Sequence, residues 1–241
     1  HIEVQIVADQ KGNVMHLGER DCSLQRRRQK VVEETPSPRL SRSQRQKICR
    51  AAVRLAKAVG YTGIGTVEFL FDFATGKFYF LEMNTRIQVE HAITEMVTGV
   101  DLVEVQFLIA EGYSLNEIFF GGAKLTEIKP KGWAMEVRIY PEQLRWVKEI
   151  HSSVFEPNPG AYALLGFEFE GLAWARLDTV LEPYILHTPQ VSVEYNNLLA
   201  RLIVWGTTRD EALCRMEQAL RATVITFGTN LRVLQALVES K

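Results

Sequence analysis

Every second residue from Glu82 to Glu90 can bond, ionise or ligate. Glu82, Asn84, Arg86, Gln88 and Glu90 carry that row, with Met83, Thr85, Ile87 and Val89 between them. In an extended chain successive side chains point to opposite faces, so this spacing predicts one polar and one mostly apolar face. Upstream, Thr66–Phe71 and Phe78–Met83 flank Ala74, Thr75, Gly76 and Lys77, which is a hairpin pattern. With a loop over 73–77, Glu68 falls opposite Glu82. Facing carboxylates repel unless solvent or a divalent cation lies between them. This part of the chain is therefore committed to antiparallel sheet, with two readings open. The face is either a solvated polar surface or a Mg²⁺ site of Glu68 and Glu82 completed by Asn84.

Composition narrows the classes. The 241 residues are 46% hydrophobic and 24% charged, with a net charge of −1, which gives no general basis for nucleic-acid or membrane-surface binding. The run Arg26-Arg27-Arg28 with Lys30 is either a phosphate-binding stretch or a solvated edge, and no aromatics interleave it. No apolar run approaches the ~20 residues of a membrane span. Cys22, Cys49 and Cys214 lack ligand-like spacing and read as free thiols in a reducing compartment. His91, His151 and His187 have no metal-type spacing. No signal peptide is visible, and the chain opens directly on the strand-like Ile2, Val4, Ile6, which suggests a piece of a longer protein.

Residues 1–8 and 13–18 read as strands around a turn at 9–13. Ser41 with Gln44 forms a capping box, Ile48, Ala52, Leu55, Ala56 and Val59 follow at helical spacing, and Gly60 fits the stop. Asp101 with Glu104 caps a further helix that ends near Gly112. Residues 113–132, with Gly121, Gly122, Pro130 and Gly132, read as a weak boundary. Beyond it, Met135–Ile139 and Leu198–Trp205 read as strands, and 150–195 as turns and short strands. Thr208 and Glu211 cap a helix with Ala212, Leu213, Met216, Ala219 and Leu220 on one face. Val224–Phe227 is a short strand, and a last helix starts near Thr229. Further along the polar row, Arg86 offers a planar fork for a carboxylate- or bicarbonate-like anion, and Glu90 beside it can act as a base. The equal alternative is a structural Arg86–Glu90 pair.

Two runs carry a resemblance. Glu19-Arg20-Asp21-Cys22-Ser23-Leu24-Gln25-Arg26-Arg27-Arg28-Gln29-Lys30 and Phe80-Leu81-Glu82-Met83-Asn84-Thr85-Arg86-Ile87-Gln88-Val89-Glu90-His91 resemble the two hallmark segments of the biotin carboxylases. The resemblance covers nearly the whole chain. Residues 1–115 are similar to the C-terminal portion of an ATP-grasp domain, and 132–241 to the biotin carboxylase C-terminal domain. The implied fold is α+β, a partial ATP-grasp domain of antiparallel sheet and helices followed by the smaller domain. The implied activity is that of an ATP-dependent ligase, which makes carboxyphosphate from ATP and bicarbonate and then carboxylates N1′ of carrier-bound biotin.

Carried over by position, the resemblance assigns Glu68, Glu82 and Asn84 to Mg²⁺ (or Mn²⁺). Lys30, Arg86, Gln88 and the Val89 backbone form the bicarbonate cradle, and Glu90 is the base. Arg138 stabilises the biotin enolate and carboxyphosphate. His1, Gln25, Arg28, Glu68 and Glu82 lie at the nucleotide; Glu90, Arg138, Arg86 and Lys30 are the catalytic set. Implied partners are a biotin carboxyl carrier domain, a carboxyltransferase domain and the N-terminal half of the biotin carboxylase, whose glycine-rich lid and nucleotide-binding lysines would precede His1. A homodimer through the C-terminal domain is compatible, in the cytoplasm or the mitochondrial matrix; neither nucleic acid nor membrane is expected.

Leu17–Arg20, Leu24-Gln25, Val31–Pro36 and Trp174–Thr179 resemble urea carboxylase (urea amidolyase) more than the acyl-CoA or pyruvate carboxylases. Departures from the family pattern are Arg28 where most members have His, Tyr140-Pro141-Glu142-Gln143 followed by an unusual Leu144–Ile150, and Tyr195-Asn196. The rival readings are another ATP-grasp ligase of carbamoyl-phosphate type, and a catalytically silent scaffold for subunit association. Weak or no ATP turnover is expected of this chain alone.

Overall fold

Strand β1 (Ile2–Ala8) is buried along its whole length on both faces, and the first part of the molecule is built around it. The computed structural model describes residues 1–122, 128–148, 151–158, 160–161, 164–167, 171–180, 190–191, 197–225 and 228–240. His187, Tyr195, Asn196 and the Phe227 end of the expected short strand lie outside them. The described chain divides into two units, His1–Ala134 and Met135–Lys241.

In the first unit β1 is followed by β2 (Val14–Arg26), β3 (Gln29–Thr35), α1 (Arg42–Ala58), β4 (Gly63–Asp72) and β5 (Lys77–Asn84). Helices α2 (His91–Thr98), α3 (Leu102–Ala110) and α4 (Leu115–Phe120) complete it. The strands lie in the order β3-β2-β1-β4-β5, every neighbouring pair antiparallel. Ile2, Val4, Ile6 and Ala8 on one sheet face, with Val67, Phe69 and Phe71, pack against Ile48, Cys49, Ala52 and Ala56 of α1. Burying each such Ile or Val contributes roughly 1.5–3 kcal/mol. On the other face, Val7, Met15, Leu17 and Ile64 pack against Leu102, Val105 and Ile109 of α3 and Leu115 of α4.

Local chemistry sets the ends of α1. Ser41 and Gln44 form the reciprocal capping box, and Gly60 takes the left-handed φ of 62° just past the C-cap Val59. Asp101 likewise caps α3 by accepting from Glu104 N. Three expectations need correction. Strand β2 continues past residue 18 to Arg26 and returns through a two-residue turn, Arg27-Arg28, both at positive φ (48° and 67°). The stretch 113–132 is no plain boundary, because Ser114 and Glu117 box the start of α4, which packs into the first unit. Helix α2 was not anticipated at all.

The second unit takes up most of β6 (Trp133–Ile139), which crosses the division, and continues with β7 (Glu142–Val147) and β8 (Ser152–Pro157), an antiparallel hairpin. Then come β9 (Gly160–Ala161), β10 (Leu164–Gly166), β11 (Ala175–Thr179), β12 (Gln190–Val191) and β13 (Ala200–Gly206). The chain ends in α5 (Arg209–Ala222), β14 (Val224–Ile225) and α6 (Leu231–Glu239). β13 lies between β6 and β11. Thr208 caps α5 through Glu211 N, and Ala212, Met216, Ala219 and Leu220 form its buried face. Asn230 ties the start of α6 to β6: its amide donates to Arg138 O and its carbonyl accepts from Tyr140 N. The fold is α+β. Among the described residues no helix is long and apolar enough to cross a membrane.

Candidate active site

The strand registers build a charged row across the sheet. Arg20 on β2 pairs with Glu3 on β1, Glu3 with Glu68 on β4, and Glu68 with Glu82 on β5. The adjoining row runs from Gln5 to Thr66 to Asn84. These side chains share the sheet face on which α2 and α3 lie, opposite α1. Arg20 is fully buried. Its Nη1 donates to Gln5 Oε1 (2.7 Å) and Thr94 Oγ1 (3.1 Å), and its Nη2 to Gln88 Oε1 (2.9 Å), Thr66 Oγ1 (3.1 Å) and Glu3 Oε2 (3.3 Å). A guanidinium with this many oriented partners holds β1, β2, β4, α2 and the loop before α2 in one arrangement.

Lys30 is the second cation. The two-residue turn sets it opposite Gln25, and its Nζ contacts Glu90 Oε1 at 2.6 Å, Glu68 Oε1 at 3.4 Å and Glu3 Oε1. Glu68 also accepts from Gln88 Nε2 (2.6 Å) and Asn84 Nδ2 (2.8 Å), and its Oε2 lies 2.5 Å from His1 Nε2. His1 Nδ1 meets Gln25 Nε2 at 2.7 Å, so Gln25, His1 and Glu68 form a chain.

Burial pushes Glu3 up to about 7, reinforced by the Glu90 charge and only partly offset by Arg20 and Lys30. Burial would lift Glu68 as well, but the His1 hydrogen bond, the Lys30 charge and the Gln88 amide outweigh it and hold Glu68 below the ordinary carboxylate range. Burial would lower Lys30, and the Glu3 and Glu90 charges more than reverse this. The Cys22 thiol is driven well up by burial and by the same two carboxylates, which keeps it inert.

Two groups bring three ligand-type atoms within 4.8 Å of one another: His1, Glu3 and Glu68; and Glu3, Cys22 and Glu90. The Lys30 ammonium bonds to the carboxylates of both, so their charge is met without an ion. The Glu68–Glu82 pair differs. Glu82 is exposed, faces Glu68 in register, and has no protein partner among the described residues. Two carboxylates with the Asn84 amide alongside fit the oxygen donor set that Mg²⁺ takes.

A family model for the carbamoyl-phosphate synthase L chain ATP binding domain matches residues 1–118, and the model of the biotin carboxylase C-terminal domain matches residues 136–241. Biotin carboxylase 1 of Bacillus subtilis is 45% identical over 225 residues, covering 93% of this chain and 46% of that protein. The chain belongs to the biotin carboxylase family. The biotin carboxylase domain of Hydrogenobacter thermophilus 2-oxoglutarate carboxylase, solved as a dimer with MgADP, ADP and bicarbonate, superposes with a TM-score of 0.83 at 36% identity. That match covers 100% of this chain and 49% of the solved one. Kluyveromyces lactis urea carboxylase matches with a TM-score of 0.82 at 40% identity, over 100% of this chain and 20% of its own. The chain spans about half the length of the curated biotin carboxylases it matches.

Within this biotin carboxylase chain, Lys30, Glu68, Gln88 and Glu90 meet directly, joined by His1, Gln25 and Asn84. The row Glu82–Glu90 is not one strand. β5 ends at Asn84, and the chain then leaves the sheet for α2, turning Gln88 inward to Arg20 and Glu68 and Glu90 inward to Lys30. Glu82 faces Glu68, but not through the expected loop. The loop is 73–76, with Asp72 paired to Lys77, and a bulge at Leu81 restores the register at Glu68–Glu82. Arg86 makes no pair with Glu90; it is exposed and donates to Ile87 O at 3.0 Å. Val89 is half-buried in the turn before α2, and Arg28 is exposed in the hairpin turn. Arg138 lies on β6, buried, its carbonyl bound by Asn230. Sequence reasoning missed Arg20, Glu3, Gln5 and Thr66. The available signal was the odd-numbered polar residues Glu3 and Gln5 alternating with Ile2, Val4 and Ile6 in a strand apolar enough to be core.

Proposed function

We propose that this chain forms the bicarbonate- and metal-handling face of an ATP-dependent ligase that carboxylates carrier-bound biotin. The reading rests on one observation: Lys30 Nζ is held among the carboxylates of Glu3, Glu68 and Glu90 beside the Gln88 amide. A fixed, half-buried cation attracts an anionic substrate, and a carboxylate bonded to it is placed to take that substrate's proton. In this reading Glu90 removes the bicarbonate proton, while Lys30, Arg86, Gln88 and the Val89 N–H hold the anion. Arg86 is exposed enough to turn towards it. Glu68, Glu82 and Asn84 hold Mg²⁺ or Mn²⁺, whose contribution is to neutralise nucleotide phosphate charge. His1, Gln25 and Arg28 border the nucleotide, and Arg138 stabilises the biotin enolate. The MgADP and bicarbonate bound by the Hydrogenobacter relative support this choice of ligands.

The N-terminal half of the enzyme supplies the rest of the ATP site, so the chain by itself turns over ATP weakly or not at all. A carrier domain and a carboxyltransferase domain complete the reaction, in a homodimer whose contact we assign to the C-terminal domain; the Hydrogenobacter relative is itself a dimer. The runs at 17–20, 24–25, 31–36 and 174–179 favour urea as the final acceptor over an acyl-CoA or pyruvate. The cytoplasm or mitochondrial matrix suits the free thiols of Cys22, Cys49 and Cys214.

The test is bicarbonate-dependent ATP cleavage and biotin carboxylation in the full-length parent. Glu90→Gln and Arg138→Ala are each expected to lower both by a factor on the order of 10²–10⁴; near-normal biotin carboxylation in both variants would overturn the assignment. The carbamoyl-phosphate synthase description of the first domain favours a second reading, another ATP-grasp ligase. Turnover with free biotin separates the two.

A further inference from the structure

Helix α1 carries six cations, Arg42, Arg45, Lys47, Arg50, Arg54 and Lys57, and no carboxylate, in a chain whose net charge is −1. Like charges three or four residues apart repel along a helix, and Lys47–Arg50, Arg50–Arg54 and Arg54–Lys57 are such pairs. Local helix stability does not account for this choice. Arg45 is paired, its Nε 2.5 Å from the buried Glu19. Arg42, Arg50, Arg54 and Lys57 are exposed and make no ion pair among the described residues. With Val53 they fall on one side of a 3.6-residue helix.

Two cavities lie along this side. One, of about 430 Å³, is lined by Val14, Val53, Arg50, Arg54 and Lys57 and by the β2 chain at Met15 and His16. The other, of about 300 Å³, lies among Arg42, Arg45, Lys129 and Pro130 over Glu19. His16 lines both, so they adjoin. Helix α1 packs on the sheet face of Ile2, Val4 and Ile6, the opposite face from Glu3 and Glu68. The groove is therefore separate from the candidate active site.

We propose that this groove docks an extended acidic segment of a protein partner. Its length along α1 is roughly 25 Å, which suits about seven extended residues. Carboxylates of the segment meet Arg42, Arg50, Arg54 and Lys57, and apolar residues alternating with them settle on Val14 and Val53. The charge selects an acidic partner. The floor is aliphatic and no Phe, Tyr or Trp lines either cavity to stack a base, which selects polypeptide over nucleic acid.

The probe is a fluorescein-labelled peptide of about seven alternating glutamates and leucines, titrated with the 241-residue chain and followed by anisotropy at low and high salt. Saturable, salt-sensitive binding is expected. It should weaken on the order of tenfold or more in the Arg50→Glu/Arg54→Glu/Lys57→Glu variant, or with glutamine replacing glutamate in the peptide. It should be unchanged in Lys77→Glu, an exposed cation on β5. Absence of saturable binding, equal binding by the reversed variant, or stronger competition from a single-stranded oligonucleotide than from unlabelled peptide overturns the proposal. If the reversed variant loses its native circular dichroism, the neutral Arg50→Gln/Arg54→Gln/Lys57→Gln variant is held to the same criterion.

Discussion

The two faces of the first unit's sheet are equally buried and opposite in chemistry. On one, Ile2, Val4 and Ile6 meet Ala52, Ala56 and Ile48 of α1, and apolar packing accounts for the contact. On the other, Glu3 and Gln5 of the same strand meet Arg20, Thr66 and Glu68, and almost every polar atom has a fixed partner. The apolar face can absorb small changes of shape. The polar face cannot absorb the loss of one partner, because buried donors and acceptors are then left without the bonds that replaced water.

The largest effect that sharpens this contrast is therefore Arg20→Ala. It removes the guanidinium from Glu3, Gln5, Thr66, Gln88 and Thr94 at once and is expected to destabilise the chain by about 3–5 kcal/mol in urea unfolding. The double variant Arg20→Met/Glu3→Gln removes the charge along with its partner and should recover most of that loss. A double variant as unstable as the single one would break the comparison.

Next in size is the dependence on pH. Glu3, raised to about 7 from an ordinary 4.5, holds a proton in the folded state that the unfolded chain has already released. Stability attributable to Glu3 is therefore lost as pH rises from about 4.5 to about 7, with a slope of at most ~1.4 kcal/mol per pH unit. Glu68 acts oppositely: its stabilisation is present above the ordinary carboxylate range and disappears as pH falls through its lowered value. Urea midpoints measured across this range should lose their downward slope in Glu3→Gln; an unchanged profile would place the proton elsewhere.

The smallest effect comes from the apolar face. Ile6→Val removes one buried methylene from the α1 side and should cost ~0.5–1.5 kcal/mol with no change in pH profile. A change in pH profile would mean that the two faces are coupled through β1.

Much of this was legible in the linear pattern, for reasons local to the chain. Ser41–Gln44 and Gly60 set the ends of α1 because caps act within one turn. Glu68 and Glu82 could be paired because a hairpin fixes its own register, although the chain reached that pairing with a shorter loop and a compensating bulge. Helix α2 escaped notice. Glu90 at its N-cap makes no side-chain capping bond, and its buried face of Ala92, Ile93, Thr94 and Val97 is too short for a clear period. Helix α4 was hidden among glycines read as a boundary.

The sequence by itself determined the alternation of β1, the capped helix, the hairpin and the family, because each depends on neighbours in the chain or on long matching runs. Only the tertiary structure decided that Arg20 and Glu3 are the centre of the polar face. Their partners Gln5, Thr66, Gln88 and Thr94 come from strands, a helix and the loop before it, as many as 74 residues away, and no local spacing records which strand lies beside which. The same holds for Glu82–Glu90. The sequence supplied five polar groups in single file, and burial of α2 bent the file so that Gln88 and Glu90 left the strand and turned towards Arg20 and Lys30.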